Sequence, residues 1–153
     1  NSSAAADEMV KRLMEFNMSP TKESLKAFIS TMVVNQDLVT DELVEARFAD
    51  ATAPGAREAM MSMGMSFYNP ESFEDGMLWR EAHRLRKHTL LTWGREDRVN
   101  PLDGAMVALK LIPKAQLHVF PNCGHWAQIE AAEEFLEVSA QFLSRHVERE
   151  KKS

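Results

Sequence analysis

Two short stretches of this sequence hold residue types that could act together on a substrate. The first is Thr92-Trp93-Gly94-Arg95-Glu96-Asp97-Arg98-Val99-Asn100-Pro101, where a strand-like run stops at Gly94 and a carboxylate, Asp97, follows on the loop. The second is Pro121-Asn122-Cys123-Gly124-His125-Trp126, directly after another strand-like run, Gln116–Phe120. Each group lies just past the carboxyl end of a strand, the edge at which open α/β sheets collect ligands and catalytic side chains. A carboxylate and an imidazole so placed can serve as two members of a triad. The carboxylate accepts the Nδ1–H and stabilises imidazolium, while Nε2 takes a proton from a nucleophile.

Blander readings exist for each residue. An aspartate in a Gly-Arg-Glu-Asp loop can simply cap a turn. His125 alone could be a hydrogen-bonded loop histidine. Glu96 is the rival acid, expected to face solvent. His83, His88, His118 and His146 are read as structural, without a partner comparable to Asp97. Cys123 and His125 together are a weak zinc signal, since no second ligand pair accompanies them, and no metal is expected. Cys123 as the nucleophile is disfavoured because it sits in the same tight loop as the base. A serine nucleophile is not evident: there is no G-x-S-x-G, and Ser62 in Met61-Ser62-Met63-Gly64 follows no strand.

The elements that must position these groups fall into two regions. Residues 1–87 show helical periodicity and no convincing strand, and are read as a helical cap. Ala6–Phe16 forms an amphipathic helix with Met9, Leu13, Met14 and Phe16 inward. Ser19-Pro20 is expected to cap a helix running to Val33. Thr40-Asp41-Glu42 opens another, with acidic residues at the positive end of its dipole. A Met-rich segment runs from Pro54 to Phe67, Asn69-Pro70 breaks the chain, and a last helical stretch covers Met77–Leu85. Whether the clustered Met60, Met61, Met63 and Met65 form core or ligand surface is left open by composition.

Residues 88–153 change period. His88–Trp93 and Gln116–Phe120 read as strands, Asp103–Ile112 as the helix between them, and Ala131–Val147 as a final helix burying Phe135, Val138, Phe142 and Leu143. Strand, helix, strand, helix predicts a right-handed βαβ unit at a sheet edge, the α/β class. Two parallel strands alone make a poor sheet, because parallel sheets are covered on both faces and are several strands wide. The chain is therefore expected to need a partner segment carrying the rest of the sheet.

Composition narrows the function classes. With 44% hydrophobic and 27% charged residues, the chain reads as a soluble globular protein. A net charge of −5 argues against nucleic-acid binding, which needs a basic surface. No apolar stretch approaches the ~20 residues needed to span a bilayer, so no membrane partner is expected. The single cysteine excludes an internal disulfide framework and fits a reducing cytoplasm. The start, Asn1-Ser2-Ser3-Ala4-Ala5-Ala6, is small and polar rather than a secretory leader, and without an initiator methionine it reads as a processed or trimmed chain.

At Trp93–Pro113 (WGREDRVNPLDGAMVALKLIP) and Gln116–Phe135 (QLHVFPNCGHWAQIEAAEEF) the sequence resembles the α/β-hydrolase superfamily. Within it, the sequence resembles the C-terminal half of the meta-cleavage product hydrolases, which break carbon–carbon bonds in aromatic-ring and steroid catabolism. The cap segments LVEARFAD (Leu43–Asp50) and MLWREAHRLRK (Met77–Lys87) resemble the seco-steroid hydrolases of that family. The resemblance implies Asp97 as triad acid, His125 as base, and the superfamily's chain order of serine, acid, histidine, with the serine upstream. It also implies Arg47 as the grip on the dienoate end of the substrate, and Trp126, Met32, Val99 and Asn100 as pocket residues. The family's serine and oxyanion glycines have no counterpart in this chain. The resemblance thus implies a small-molecule substrate, no cofactor, a complementary N-terminal half carrying the serine, and self-association into a homo-oligomer. An ester or lactone hydrolase of the same fold, or a fragment inactive without its other half, are the competing readings.

Overall fold

The computed structural model describes residues 2–66, 69 and 76–150; Phe67 and Pro70, two of the expected segment limits, lie outside them. Among the described residues of the first region there are four α-helices: α1 (Ser2–Met18), α2 (Lys22–Met32), α3 (Asp41–Ala51) and α4 (Ala56–Ser66). The start of α2 is set by Thr21 rather than by Ser19. The Thr21 hydroxyl accepts the Ser24 amide at 3.1 Å, and the Ser24 hydroxyl accepts the Thr21 amide at 3.1 Å. This reciprocal pair satisfies two amides that would otherwise lack intrahelical acceptors. Thr40 opens α3 as its spacing predicts, accepting the Leu43 amide. Single 3₁₀ segments occupy Gln36–Leu38 and Leu78–Arg84, the latter where an α-helical stretch was expected.

These helices share one core. Phe16, Leu25, Ile29, Val33, Val39 and Val44 are buried together, with Phe28, Met32, Phe48 and Met60 packed around them. Trp126, from the second region, packs against the same cluster. Met14 is half exposed, so α1 buries a narrower stripe than its apolar residues suggest.

The second region holds two strands, β1 (Thr89–Gly94) and β2 (Ala115–Phe120), connected by α5 (Leu102–Leu111). They pair in parallel from Thr89 opposite Ala115 to Gly94 opposite Phe120. One two-residue run of exposed apolar surface remains on α5, at Met106 and Val107. A short helix, α6 (Ala127–Glu130), and a long one, α7 (Ala132–Glu150), complete the chain. Phe120, Cys123 and Ala127 form a second buried cluster against Phe135 of α7. Leu143 is exposed instead of buried, as is Leu136. No helix among the described residues is long and apolar enough to cross a membrane.

Ile29 is almost wholly buried at the centre of the cap cluster, 2% exposed. Ile29→Ala should destabilise the protein by about 2–5 kcal/mol, the range for deleting a buried branched side chain. Urea unfolding monitored by circular dichroism checks this; a loss below about 1 kcal/mol would mean that the cluster is not packed as described.

Candidate active site

Because Gly94 and Phe120 stand opposite one another, the two strands release their chains at one edge. The ladder continues past both ends: the Arg95 amide donates to the Phe120 carbonyl at 2.9 Å, and the Glu96 amide to the Cys123 carbonyl at 3.0 Å. Such close approach requires glycine at Gly94, where a Cβ would collide with the carbonyl oxygens of Cys123 and Gly124. Asn122 turns the second loop with a φ of 52°, a left-handed conformation that asparagine tolerates.

The result is a hydrogen bond of 3.0 Å between His125 Nδ1 and Asp97 Oδ2. An ionised carboxylate can only accept, so Nδ1 carries the proton and Nε2 of a neutral ring is left as a base. The other oxygen, Asp97 Oδ1, accepts the amides of Val99 (2.8 Å) and Asn100 (2.9 Å). The Asp97 side chain is 6% exposed and that of His125 30%, so the acid is enclosed while the imidazole reaches solvent. Burial pushes the Asp97 carboxyl upward, but the hydrogen bonds from His125 and the two amides outweigh it and hold the group below its ordinary value. The same bond to Asp97 raises His125 above its ordinary value against a smaller opposing effect of burial.

The rival groups are placed otherwise. Glu96 does not face solvent freely: Oε2 accepts the Cys123 amide at 3.0 Å and Oε1 the Arg95 guanidinium at 2.7 Å. Cys123 is 1% exposed, and burial, reinforced by the surrounding carboxylates, pushes its thiol up to about 11. At neutral pH it is a protonated, enclosed thiol and a poor nucleophile. Of the histidines read as structural, His118 does meet a carboxylate, its Nε2 lying 2.8 Å from Glu134 Oε1, while His88 stacks on His146 at 3.9 Å between ring centroids. None of those contacts lies at the strand-end rim. Among the described residues no group of three or more His, Cys, Asp or Glu is arranged to hold a metal ion.

Candidate residues line two hollows, one of them at the pair. One of about 130 Å³ opens directly on it, lined by Thr92, Trp93, Asp97, Asn100, His125 and Gln128. The other, about 350 Å³ and mostly apolar, lies in the cap and is lined by Phe16, Phe28, Ile29, Arg47, Met60 and Trp126 among others. Arg47 is half exposed, with its guanidinium 5.9 Å from the centre of the Trp126 ring and 4.0 Å from the Asp50 carboxylate. It therefore stands beside the residue that follows His125. Val99 and Met32 line neither hollow, and act at the site through backbone groups: Val99 through its amide on Asp97, Met32 through a carbonyl that accepts the His125 amide at 2.7 Å. Of the clustered methionines, Met60 packs inward while Met61, Met63 and Met65 are exposed. One residue without a sequence signal also joins the site: Glu130 accepts the Gly124 amide at 2.7 Å.

Residues 20–132 match the alpha/beta hydrolase fold family. The chain is 34% identical over 149 residues to the 2-hydroxy-6-oxononadienedioate/2-hydroxy-6-oxononatrienedioate hydrolase of Comamonas testosteroni. It is 35% identical over 149 residues to the 2-hydroxy-6-oxo-6-phenylhexa-2,4-dienoate hydrolase of Burkholderia cepacia. Each alignment takes in 90% of this chain and 47% of the relative, so the chain spans about half the length of the curated relatives it matches. Among solved structures, the meta-cleavage product hydrolase from Pseudomonas fluorescens IP01 superposes with a TM-score of 0.72 at 34% identity, over 83% of this chain and 47% of that one. The 2-hydroxy-6-oxo-6-phenylhexa-2,4-dienoate hydrolase from Rhodococcus sp. strain RHA1 gives 0.72 at 27% identity, over 89% and 49%.

The two pKa directions set a pH window for the pair. Asp97, depressed on folding, contributes stability above its ordinary 3.8 that is lost as pH falls through the folded value. His125, raised on folding, contributes stability below its ordinary 6.5 that is lost as pH rises through the folded value. The pair is therefore at full strength between 3.8 and 6.5. An NMR titration of the His125 ring should give a midpoint above 6.5, and Asp97→Asn should bring it to 6.5 or below, because only burial then acts. An identical midpoint in both proteins would show that the bond contributes nothing.

Proposed function

Because the chain belongs to the α/β-hydrolase fold family, we propose that it supplies the acid and base of a serine-type hydrolase that cleaves a carbon–carbon bond. The substrate class is a ring-cleaved vinylogous 1,5-diketone, a 2-hydroxy-6-oxo-dienoate. The observation that carries this reading is the Asp97–His125 hydrogen bond of 3.0 Å at two adjacent strand ends.

In this reading the nucleophile is a serine on a complementary N-terminal half, whose own strand pairs with the free edge of β1. His125 Nε2 takes the serine proton as the oxygen attacks the ketone carbon, and Asp97 stabilises the imidazolium that results. Backbone amides of the complementary half hold the oxyanion. With the 2-hydroxydienoate first tautomerised to its 2-oxo form, the carbon–carbon bond then breaks, its electron pair passing into the conjugated ketone, and the resulting dienolate takes up a proton. Water, activated by His125, releases the acyl group from the serine as a carboxylic acid. This chemistry calls on no metal or organic cofactor.

Arg47 would hold the substrate carboxylate, for which its planar fork is suited, and its stacking on Trp126 keeps it near the base. Trp126 and Asn100 line the proposed pocket, while Met32 and Val99 support it through their backbone carbonyl and amide. The finer reading is a seco-steroid substrate. The resemblance of Leu43–Asp50 and Met77–Lys87 supports it, as does an apolar cap hollow of about 350 Å³. The proposed enzyme is cytoplasmic and self-associating, acts on a small molecule, and engages neither nucleic acid nor membrane.

The test is made on the protein assembled with its nucleophile-bearing half. A chromogenic dienoate should be turned over far faster than a nitrophenyl ester; the reverse preference would make it an esterase of the same fold. His125→Ala should lower turnover roughly 10⁴-fold, by analogy with serine proteases, and leave binding largely intact. Turnover within tenfold of the parent would remove His125 from the mechanism. Arg47→Gln should lower kcat/KM for the dienoate roughly 10- to 100-fold, the range for losing a charged hydrogen bond, and have little effect on the ester.

A further inference from the structure

The loop carrying His125 is held by more than Asp97. Its three successive amides, Cys123, Gly124 and His125, donate to Glu96 Oε2 (3.0 Å), Glu130 Oε1 (2.7 Å) and the Met32 carbonyl (2.7 Å). Glu96 neighbours Asp97, so its bond ties one loop to the other. The remaining two acceptors do something different. Glu130, at the end of α6, uses its second oxygen, Oε2, to accept the amides of Val34 (2.6 Å) and Asn35 (3.2 Å). One carboxylate thus joins the His125 loop to the chain leaving α2. Gly124 is where the two segments touch: a Cβ there would stand 2.9 Å from Glu130 Oε1 and 3.2 Å from Val33 Cα.

We propose that Glu130 is a positioning residue, which fixes the His125 loop to the exit of α2 so that the placement of the cap sets the imidazole against Asp97. The chemistry of the side chain fits. A carboxylate offers acceptor lone pairs to all three amides, whereas a glutamine must turn its NH₂ toward one of the donors. The geometry also provides a route from the cap hollow to the base. Phe28 and Ile29 line that hollow, α2 carries both, His125 grips Met32 at the end of that helix, and Glu130 grips Val34 and Asn35 just after it. Occupancy of the hollow by an apolar substrate would press on α2 and reach His125 through this clamp. The inference rests on His125 being the base, but its principal test needs no substrate.

In the full chain, long-range ¹⁵N–¹H NMR reads the tautomer of neutral His125. The parent should show the Nδ1–H form; Glu130→Gln, folded by circular dichroism, should show a mixture with the Nε2–H form. A parent-like tautomer in the folded variant would overturn the proposal. Should the variant not fold, amide exchange in the parent decides. Gly124, Val34 and Asn35 should be protected at least about 10²-fold over an open chain, and open-chain rates at these amides would overturn it. In the protein assembled with its nucleophile-bearing half, Glu130→Gln should lower kcat roughly 10- to 100-fold, the cost of a base about 1 Å out of place, with KM nearly unchanged. An effect confined to KM would also count against it. If the dienoate assignment fails while the tautomer shifts, the clamp stands and only the substrate is wrong.

Discussion

Everything at the candidate site follows from the register of two parallel strands. With Gly94 opposite Phe120, both chains leave the sheet at the same height, and the backbone bonds beyond the strands keep the two loops side by side. A one-residue slip would displace Asp97 from His125 by about 3.3 Å, the rise of a parallel strand, and the bond between them would not form. Side chains alone could not restore it. Gly94 makes the register possible by letting the carbonyls of Cys123 and Gly124 lie against its Cα. The reach between acid and base is thus a property of backbone packing, with the side chains as its terminals.

On that frame the charges are distributed unevenly. Asp97 is enclosed and takes three hydrogen bonds, one of them from His125, whereas His125 keeps part of its ring in solvent. A carboxylate satisfied on both oxygens stays ionised when buried, because amide donors replace the water it lost. It can then hold the imidazole in one tautomer without competing for the proton. Glu96 and Glu130 repeat this arrangement around the same loop, each accepting a backbone amide. Three carboxylates surround one short loop, and burial first, with their charge added to it, keeps the Cys123 thiol protonated. The fold so separates a solvent-reaching imidazole from an enclosed, protonated thiol.

How much of this could be read from residue order depends on the range of each interaction. The two strands, the connecting helix and the loop positions of Asp97 and His125 are local patterns, namely short apolar runs ended by glycine or proline, and they were legible. Boundaries were less so. Ser19-Pro20 has the residue types of a helix start, yet Thr21 wins because Ser24 can answer its cap. Glu96 looked like a solvated acid because its partner, the amide of Cys123, lies 27 positions away. Glu130 was illegible for the same reason, since its contacts to Val34 and Asn35 reach across 96 and 95 positions. The His118–Glu134 pair joins a strand to a helix and has no spacing rule to announce it. Long-range polar contacts are the part of the site that periodicity does not encode.

The same geometry ties the proposed chemistry to the stability of the sheet. Among the described residues β1 pairs on one side only, with β2, and apolar residues stay exposed on both flanking helices, at Met106 and Val107 on α5 and at Leu136 and Leu143 on α7. An open strand edge beside uncovered apolar surface invites pairing with another strand. A strand added in parallel to β1 would bring its own carboxyl end to the rim where Asp97 and His125 meet, since parallel neighbours end on the same edge. A nucleophile at that end would stand next to the imidazole. Covering the edge and completing the proposed triad are therefore one structural demand, and a segment that met the first would already be placed to meet the second.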